Sequence, residues 1–372
     1  MIVAVPREAA EKERRVALVP ETVTRFAKSG VAVALQRGAG ESAAFPDAAY
    51  AAAGATFADD AVALASSADV VVCVGRPSDA LVHALRRGSV VVGFLNPLGD
   101  PQYVAQLAGT GLTAIAMEMI PRITRAQSMD ALSSQSNIAG YKAVLLAAAH
   151  LPKFFPMLTT AAGTIAPAKV LVLGAGVAGL QAIATARRLG GVVSGYDVRA
   201  VVKEQVQSLG ATFLEFDLGS DAEGTGGYAK ELTAEQQERQ RAWMVEQIGA
   251  NDVVITTALV PGRKAPVLIS EAAVAAMKPG SVIVDLAAEA GGNCALTQPD
   301  AIVTTANGVS IIGTTNLPST MPADASRLYS RNVYALLSPW IKDGVLTIDP
   351  NDEVAKGAVV ARDGGVLIGG NP

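Results

Sequence analysis

Residues 170–197 read VLVLGAGVAGLQAIATARRLGGVVSGYD, and this stretch decides the fold of the region around it. The aliphatic run Val170–Leu173 predicts a buried strand, because such strands are rich in β-branched and aliphatic side chains. A tight turn follows, then a helix predicted over Val177–Leu189 and a second strand near Val192–Tyr196. This succession of strand, helix and strand is the repeating unit of a parallel sheet.

Three glycines fill the G-x-G-x-x-G positions of the turn: Gly174, Gly176 and Gly179. The first permits the turn, the second lets a pyrophosphate approach the backbone, and the third lets helix and strand pack closely. The helix beginning at Val177 points its N-terminal N–H groups toward an anion. The pattern indicates a Rossmann-type dinucleotide site; the alternative is a turn that packs helix on sheet without a ligand.

Asp197 closes the second strand of this unit. A carboxylate at that position can accept hydrogen bonds from a ribose diol, and it would repel a 2′-phosphate. The sequence therefore favours NAD(H) over NADP(H).

Composition narrows the class of protein. The chain has 372 residues, which suggests two or three domains at about 150 residues each. Half of the residues are hydrophobic, and the net charge of −4 is spread without long blocks, so no nucleic-acid-binding surface is expected. Cys73 and Cys294 lie far apart in apolar or small-residue surroundings, which predicts buried thiols in a reduced, cytosolic protein. No spacing of ligating residues indicates a metal site.

No signal peptide is expected, because Met1 leads directly into the predicted strand Ile2–Val5. The most apolar stretch, Val170–Ala186, is shorter than the roughly 20 residues of a membrane span and is broken by glycines. We therefore expect a soluble chain with no direct membrane insertion, which could still dock on a membrane protein.

Strands alternate with helices before residue 135, as in a parallel α/β domain. The predicted strands are Ile2–Val5, Val31–Leu35, Val70–Val74, Val90–Gly93 and Leu112–Ala116. The predicted helices include Pro20–Ser29, Asp60–Ser66 and Pro101–Ala108.

The same alternation continues to the end of the nucleotide-binding region. A helix is predicted from Ser133 to His150, with Ser133 or Ser134 as its N-cap. Further strands are predicted near Asp252–Thr256, Ser281–Asp285 and Val309–Gly313, then a helix over Ala323–Trp340 and short strands over Val345–Ile368.

The predicted fold class is α/β, with two doubly wound, Rossmann-like parallel-sheet domains. We expect residues 1–132 plus 326–372 to form the N-terminal domain, completed by the C-terminal segment, and residues 133–325 to form the NAD(H)-binding domain. A cleft between them is expected to hold the cofactor.

The segment Asp217–Glu231 has four glycines and little apolar content. It is long for an ordinary connection, and such loops are often lids over a ligand. The alternative is a surface loop without a function.

A polar segment, Glu118–Tyr141, lies between the two predicted domains. Its cluster of hydrogen-bonding side chains comprises Arg122, Arg125, Gln127, Ser128, Asp130, Ser133, Ser134 and Gln135. Arg, Asp and Ser together can bind a carboxamide, with Arg and Ser donating and Asp accepting. The alternative is helix capping with surface salt bridges.

These residues carry a family resemblance. The chain resembles the NAD(H)-binding component, domain I, of proton-translocating NAD(P) transhydrogenase. The matching runs are PRITRAQSMD from Pro121, SSQSN from Ser133, Gly140-Tyr141, Gly174–Gln181, DVR from Asp197, GGYAKE from Gly226, TTALVPG from Thr256 and DLAAEAGGN from Asp285. The match covers nearly the whole chain, and the Arg-Ala-Gln-Ser-Met-Asp run is specific to the family.

The resemblance implies roles for individual residues. Arg122, Asp130 and Ser133 match residues that hold the nicotinamide carboxamide, Gln127 matches a residue between two nucleotides, and Tyr141 matches a supporting residue. Asp197 matches a ribose ligand, and Tyr228 matches the tip of a mobile loop. With the glycine pattern, the expected cofactor-binding residues are Gly174, Gly176, Val177, Gly179, Asp197, Val198, Arg199, Gly227, Tyr228, Thr257 and Leu259.

The resemblance also implies partners and a location. NADP(H) would be bound by a separate domain, and membrane-spanning subunits would couple hydride transfer to proton translocation. The chain would be a homodimer, peripheral on the cytoplasmic face of the bacterial inner membrane, and catalytic only with its partners.

Alanine dehydrogenase, an NAD-dependent amino-acid oxidoreductase, is the main alternative, because it shares Arg14–Leu18 and Arg37–Gly40. That family places a lysine and a histidine in two loops, where this chain has Gly75 and Asn96, and neither residue is a general acid or base. The two histidines, His83 and His150, are expected on helix surfaces. Hydride exchange between two nicotinamide rings needs alignment and dryness rather than a base. A third hypothesis is an NAD-binding regulatory module without turnover.

Overall fold

The computed structural model describes residues 1–216, 233–260 and 262–368. Its internal contacts divide the chain into two units. The first comprises Met1–Ile138 and Pro318–Pro372, and the second comprises Ala139–Leu317. The first unit is therefore built from both ends of the chain.

The N-terminal part of the first unit alternates strands and helices. The strands are β1 (Ile2–Val5), β2 (Ala32–Gln36), β3 (Thr56–Ala58), β4 (Val70–Val72), β5 (Val90–Gly93) and β6 (Thr113–Ala116). The helices are α1 (Pro20–Lys28), α2 (Asp47–Ala52), α3 (Ala61–Ser67), α4 (Asp79–Ala84) and α5 (Pro101–Gly109). Helix α6 (Ala131–His150) begins in this unit and continues into the second.

The second unit has the same rhythm. Its strands are β7 (Leu158–Thr160), β8 (Gly163–Ile165), β9 (Lys169–Leu173), β10 (Val192–Tyr196), β11 (Thr212–Phe213), β12 (Val253–Thr256), β13 (Val282–Asp285), β14 (Ile302–Thr304) and β15 (Ser310–Ile312). Its helices are α7 (Val177–Arg188), α8 (Lys203–Ser208), α9 (Ala234–Gly249) and α10 (Glu271–Ala275).

The chain then returns to the first unit. The returning helices are α11 (Pro322–Leu337) and α12 (Glu353–Ala358), and the strands are β16 (Ile341–Lys342), β17 (Val345–Leu346), β18 (Val359–Arg362) and β19 (Gly365–Val366). Strand β18 pairs antiparallel with β6 and extends the first sheet. One face of α11 is buried in the first unit, where Tyr329, Val333 and Leu336 join the core.

Each unit contains one large twisted sheet. The first sheet has the order β19-β18-β6-β5-β4-β1-β2-β3, and the second has the order β11-β10-β9-β12-β13-β15-β14. Pairing is parallel except at β18, β19 and β14. In both sheets the order reverses beside the first strand of the alternation, β1 or β9, as in doubly wound folds. The predicted fold class is confirmed.

Apolar clusters lie on both faces of each sheet. In the first unit, Val3 and Val5 of β1 join one cluster, and Ala4 joins the other. This alternation follows from the two-residue period of a strand. The second unit repeats it in β9, where Val170 and Val172 face one cluster and Leu171 and Leu173 face the other.

Several local predictions are confirmed. Cys73 and Cys294 are buried free thiols. His83 and His150 lie exposed on helices, and each ring Nδ1 lies within hydrogen-bonding distance of the carbonyl oxygen four residues earlier. Among the described residues, no helix combines the length and apolar character needed to cross a bilayer.

Two local predictions are wrong. Helix α6 begins at Ala131, and its first turn is capped by Asp130, whose carboxylate accepts from the Ser133 N–H at 2.9 Å, so neither Ser133 nor Ser134 is the N-cap. The C-terminal segment is not made of strands alone, because α12 forms after Asp352, which accepts from the N–H groups of Val354 and Ala355. In both places an aspartate is the capping residue, as helix N-termini prefer.

Candidate functional site

The glycine turn of the second unit connects β9 to α7. Gly174 has φ 98°, a value that L side chains rarely adopt. A Cβ atom on Gly179 would lie 1.8 Å from the Gly174 carbonyl oxygen, whereas one on Gly176 would have no neighbour within 4 Å. The first and third glycines are therefore required by the turn and its packing, while the second leaves open space beside the backbone.

Helix α7 begins in that open space. Its N-cap is Gly176, and no side chain hydrogen-bonds to the first turn. The first N–H groups of a helix lack partners within the helix and carry a partial positive charge. The turn can thus accept a pyrophosphate, which satisfies the fit expected of a dinucleotide site.

Thr257 holds the turn from the neighbouring strand. Its hydroxyl donates to the Gly174 carbonyl oxygen at 3.1 Å, and its N–H donates to the Leu173 carbonyl oxygen. Thr257, expected to bind cofactor, therefore already uses its hydroxyl to fix the backbone around the site.

Asp197 lies at the carboxyl end of β10, beside the turn. Its side chain is 6% exposed and accepts from the Ala175 N–H at 2.7 Å and from the Arg199 N–H at 2.9 Å. The Arg199 guanidinium adds two bonds, from Nε at 3.0 Å and Nη2 at 2.9 Å. Burial raises the pKa of Asp197, but these hydrogen bonds and the Arg199 charge outweigh it and hold the pKa below its usual range. The group is an ionised acceptor beside the turn.

Exposed apolar side chains follow the two strands that flank β9. Val198 and Val201 follow β10 and are 83% and 78% exposed, while Leu259 follows β12 and is 55% exposed. Exposed valines and leucines at the carboxyl edge of a parallel sheet provide apolar surface for a flat heterocycle. Val177, at the start of α7, is also partly exposed.

Tyr141 lies on α6 directly after a close helix contact. A Cβ atom on Gly140 would lie 2.1 Å from the Ala178 carbonyl oxygen, so only glycine lets α6 approach the first turn of α7. The backbone of Tyr141 is thereby fixed near the glycine turn, and its partly exposed side chain makes no hydrogen bond with any described residue.

The other predicted residues lie in the first unit, on a 3₁₀ turn over Thr124–Met129 and its flanks. Ala126 and Met129 anchor this turn in the apolar core. Arg122 and Gln127 are exposed, and neither side chain makes a hydrogen bond or ion pair with any described residue. Their donor groups are available to a ligand.

Asp130 and Ser133 form a pair at the start of α6. The Ser133 hydroxyl donates to Asp130 Oδ2 at 2.5 Å, and the Ser133 N–H donates to Oδ1. The structure thus brings these two predicted residues together one turn of chain after Gln127. The pair offers a carboxylate acceptor held in a fixed orientation by the helix it caps.

Sequence reasoning missed the residues that hold this turn in place. Asn332 of α11 accepts from the Ser134 hydroxyl at 2.7 Å and donates to the Ser128 carbonyl oxygen at 2.9 Å. It is 7% exposed, and an asparagine on the buried face of an amphipathic helix was the signal that could have revealed it.

A second contact fixes the turn from the other side. Arg125 forms a bidentate pair with Asp352, with Nη2–Oδ1 at 2.7 Å and Nη1–Oδ2 at 3.1 Å. This pairing is the main reason that the pKa of Asp352 falls to about 2. Arg125 therefore has a structural partner, unlike Arg122.

Asp285 organises the loop after β13 in the second unit. It is fully buried and accepts from the hydroxyls of Thr256 and Thr297 and from the N–H groups of Ala287, Asn293 and Cys294. Asn293 in turn bonds both backbone groups of Ala258, next to Thr257. This network fixes the chain that carries Thr257 and Leu259.

The two loops that would carry lysine and histidine in alanine dehydrogenase have other contents. The N–H groups of Val74 and Gly75 donate to the Glu8 carboxylate at 2.7 and 3.0 Å. Asn96 is exposed, and its N–H donates to the Glu118 carboxylate. Burial raises the pKa of Glu8 to about 7, against the lowering effect of its two backbone donors. Glu8 is a titratable group that sequence reasoning did not identify, since its partners lie 66 and 67 residues away.

Two further points complete the site. Gly227 and Tyr228, with the rest of the segment Asp217–Glu231, lie outside the described residues, as does Pro261. Within the part of the chain that the structure describes, no group of three or more His, Cys, Asp or Glu side chains could hold a metal ion.

Comparison with known proteins shows what the chain is similar to. The family description "Alanine dehydrogenase/PNT, N-terminal domain" matches residues 4–139, and "Alanine dehydrogenase/PNT, C-terminal domain" matches residues 143–368. The two matches together take in nearly all of both structural units.

Individual relatives divide between two activities. The chain is 48% identical to the first of the proteins that make up the NAD(P) transhydrogenase alpha subunit of Rhodospirillum rubrum, over 99% of this chain and 98% of that protein. It is 31% identical to alanine dehydrogenase of Mycolicibacterium smegmatis, over 78% of this chain and 74% of that protein. The crystal structure of transhydrogenase from Sinorhizobium meliloti superposes with a TM-score of 0.86 at 42% identity, covering 98% of each chain.

Proposed function

The chain belongs to the alanine dehydrogenase/PNT family, and from this premise we propose that it is the NAD(H)-binding subunit of a proton-translocating NAD(P) transhydrogenase. The observation that carries the proposal is the turn around Thr124–Met129, which presents Arg122 and Gln127, unpaired with any described residue, beside the Asp130–Ser133 pair. The high identity to the Rhodospirillum rubrum subunit supports the same conclusion.

The second unit would hold the dinucleotide. The open backbone at Gly176 and the first N–H groups of α7 would receive the pyrophosphate. Asp197 would accept from the adenosine ribose, with Val198 and Leu259 exposed beside it as apolar surface for the base. Bound NADH would supply a hydride for NADP⁺ held on the partner domain.

The first unit would orient the nicotinamide ring. Arg122 would donate to the carboxamide oxygen, and Asp130 would accept from the carboxamide nitrogen while Ser133 keeps the carboxylate oriented. Gln127, an exposed amide that no described residue engages, would contact the second nucleotide. Hydride transfer of this kind moves no proton at the donor carbon, so these groups need only fix distance, alignment and dryness.

Alanine oxidation makes a different demand. It needs a base near the substrate amine, and the two loops in question offer Gly75 and Asn96, which cannot titrate. Glu8, which does titrate, already receives two backbone N–H groups. We therefore expect no alanine dehydrogenase activity, and measurable NAD-dependent oxidation of L-alanine would overturn this aspect of the proposal.

The assembly also belongs to the proposal. We expect a homodimer that sits on the cytoplasmic face of a bacterial inner membrane through partner subunits, which supply the NADP(H) domain and the proton path. Light scattering on the purified chain measures its mass, and a monomeric mass at micromolar concentration would contradict the dimer.

The decisive experiment uses Gln127. The chain is mixed with an NADP(H)-binding partner domain, and hydride transfer from NADH to an NADP⁺ analogue is followed in a single turnover. Gln127→Asn should leave NADH affinity unchanged and slow transfer up to about a hundredfold, because small misplacements of reacting atoms have effects of that size. A variant with the wild-type transfer rate would remove Gln127 from the mechanism, and no transfer by the wild type would overturn the function.

A further inference from the structure

The ribose acceptor of the second unit has no free hydrogen-bonding capacity. A carboxylate offers about four lone-pair sites, and Asp197 receives four N–H bonds. Two come from backbone groups, at Ala175 and Arg199, and are fixed by the turn. The other two come from the Arg199 guanidinium, whose side chain is 54% exposed.

A ribose diol must therefore replace the guanidinium. The two backbone bonds can persist when a nucleotide binds, because they lie on opposite carboxylate oxygens, Ala175 on Oδ2 and Arg199 on Oδ1. The two guanidinium bonds occupy the remaining site on each oxygen. The two hydroxyls of the diol would take these places, and the half-exposed arginine would move into solvent beside the ribose.

The displaced arginine would then lie where a 2′-phosphate projects. Arg binds phosphate through paired, charge-assisted hydrogen bonds, and in dinucleotide sites an arginine near the ribose accommodates the phosphate of NADP. Asp197 and Arg199 would thus act in opposite directions on the choice between the two nucleotides.

We propose that Arg199 is a specificity-determining residue that competes with the ribose of NAD(H) for Asp197 and gives the site its residual affinity for NADP(H). The inference rests on the proposed nucleotide site of the second unit. It concerns Arg199 alone and does not depend on any partner subunit.

The test is calorimetric titration of the full chain with NADH and with NADPH. In Arg199→Ala the competitor is lost, so NADH should bind about two- to fivefold more tightly, in keeping with the small worth of an exposed ion pair. NADPH should bind about tenfold more weakly, because a charge-assisted contact to phosphate is lost. The ratio of the two dissociation constants should therefore widen by more than tenfold.

Two further variants separate charge from geometry. Arg199→Lys keeps the charge but cannot donate in the same fork, so NADH should tighten while NADPH affinity stays within about threefold of wild type. Arg188→Ala removes an equal charge from the last turn of α7, away from the glycine turn, and should change neither affinity.

Each outcome decides the matter. An Arg199→Ala protein whose ratio stays within twofold of wild type, or whose NADH affinity falls, overturns the inference, the latter because Arg199 would then support Asp197 rather than compete with the ribose. If the wild-type chain binds neither nucleotide, the proposed function itself fails. Wild-type binding of NADH with an unchanged ratio in the variant overturns the role of Arg199 alone.

Discussion

Three carboxylates show how the surroundings of a single group set its charge in this protein. Burial raises the pKa of Glu8 to about 7 although two backbone N–H groups point at it. Asp197 is also buried, but an arginine and two N–H groups lower its pKa. Asp352, paired with Arg125 and capping α12, has a pKa of about 2. The arginine partner makes the difference, because backbone dipoles alone do not offset desolvation at Glu8.

Asp197 should discriminate against the 2′-phosphate of NADP(H) by charge. Two charges about 4 Å apart repel by a few kcal/mol at an effective dielectric near 20, before screening. Asp197→Asn removes this repulsion, so the preference for NADH over NADPH should narrow at least about tenfold, while NADH itself binds less tightly. Trp243 emission can report the titration, because its ring lies 5.3 Å from that of Tyr196, the neighbour of Asp197. Equal selectivity in the variant and wild type would sink the assignment.

At this scale the sequence predicted groups that act within a short stretch of chain. Gly174, Gly179 and Asp197 could be recognised because their partners lie within about 25 residues in one strand–helix–strand unit. Glu8 could not be recognised, because its donors at Val74 and Gly75 come from a different strand. Arg125 was grouped with Arg122 by composition, and only the fold reveals that Asp352 engages the first and leaves the second exposed.

At the scale of the element, the glycine turn offers a matched pair of substitutions. Gly179→Ala places a methyl 1.8 Å from the Gly174 carbonyl oxygen, so α7 must move away from β9, and we expect a loss of about 1–3 kcal/mol or more in unfolding free energy. Gly176→Ala meets nothing within 4 Å at φ −77°, so stability should stay within about 0.5 kcal/mol.

The two variants should differ in the opposite sense in binding. The methyl of Gly176→Ala would stand where the pyrophosphate approaches, and NADH affinity should fall at least about tenfold in a protein that remains stable. Urea unfolding and NADH titration measure the two effects. Wild-type affinity in Gly176→Ala would show that the phosphates do not approach the backbone there.

Helix α11 is the element that positions the turn of the first unit. Asn332→Ala removes its bonds to Ser134 and Ser128, so it should lower the unfolding free energy by about 1–3 kcal/mol. It should also slow single-turnover hydride transfer by about tenfold or more, with a smaller change in NADH affinity, because the turn carries Gln127 and precedes Asp130.

Ser330→Ala is the control for this prediction. Ser330 is a buried hydroxyl on the same helix, bonded to Val19 and Thr22 and not to the turn. It should reduce stability by a similar amount and leave transfer unchanged. An equal loss of transfer in both variants would attribute the effect of Asn332 to stability rather than to positioning.

The sequence predicted the elements of the two sheets well and their caps less well. Regular alternation of aliphatic strands and short helices placed β1, β5 and β10 at their observed bounds. Helix α12 was missed because its six residues are too few to show a period and follow a turn-like Asp-Pro-Asn. The start of α6 was misplaced because Asp130, Ser133 and Ser134 are all good N-caps, and only the three-dimensional bond selects one.

At the scale of the whole molecule, stability should depend on pH through Glu8. Its folded pKa of about 7 exceeds the ordinary value of 4.5, so the folded state favours the protonated form. The stabilisation is complete below pH 4.5 and is lost as pH rises through 7, by about 3 kcal/mol. Asp352 acts in the opposite sense, since its stabilisation is present above pH 3.8 and is lost as pH falls toward 2.

Urea unfolding of wild type and Glu8→Gln between pH 4.5 and 8 tests this. The decline of unfolding free energy with pH should be smaller in the variant, whatever its absolute stability, because glutamine does not titrate. Parallel curves for the two proteins would show that Glu8 does not carry the dependence.

The return of the chain to its first unit has a consequence for biosynthesis. Strand β6 ends at residue 116, and β18, which covers its edge, begins at residue 359. A ribosome adding about 5–20 residues per second needs on the order of 10–50 s to bridge that gap. Meanwhile the second unit can fold, but the emerging N-terminal segment carries a bare strand edge and the apolar surface that α11 will bury. An unpaired edge of this kind is a template for aggregation, so the nascent chain depends on shielding by chaperones until its last elements leave the exit tunnel.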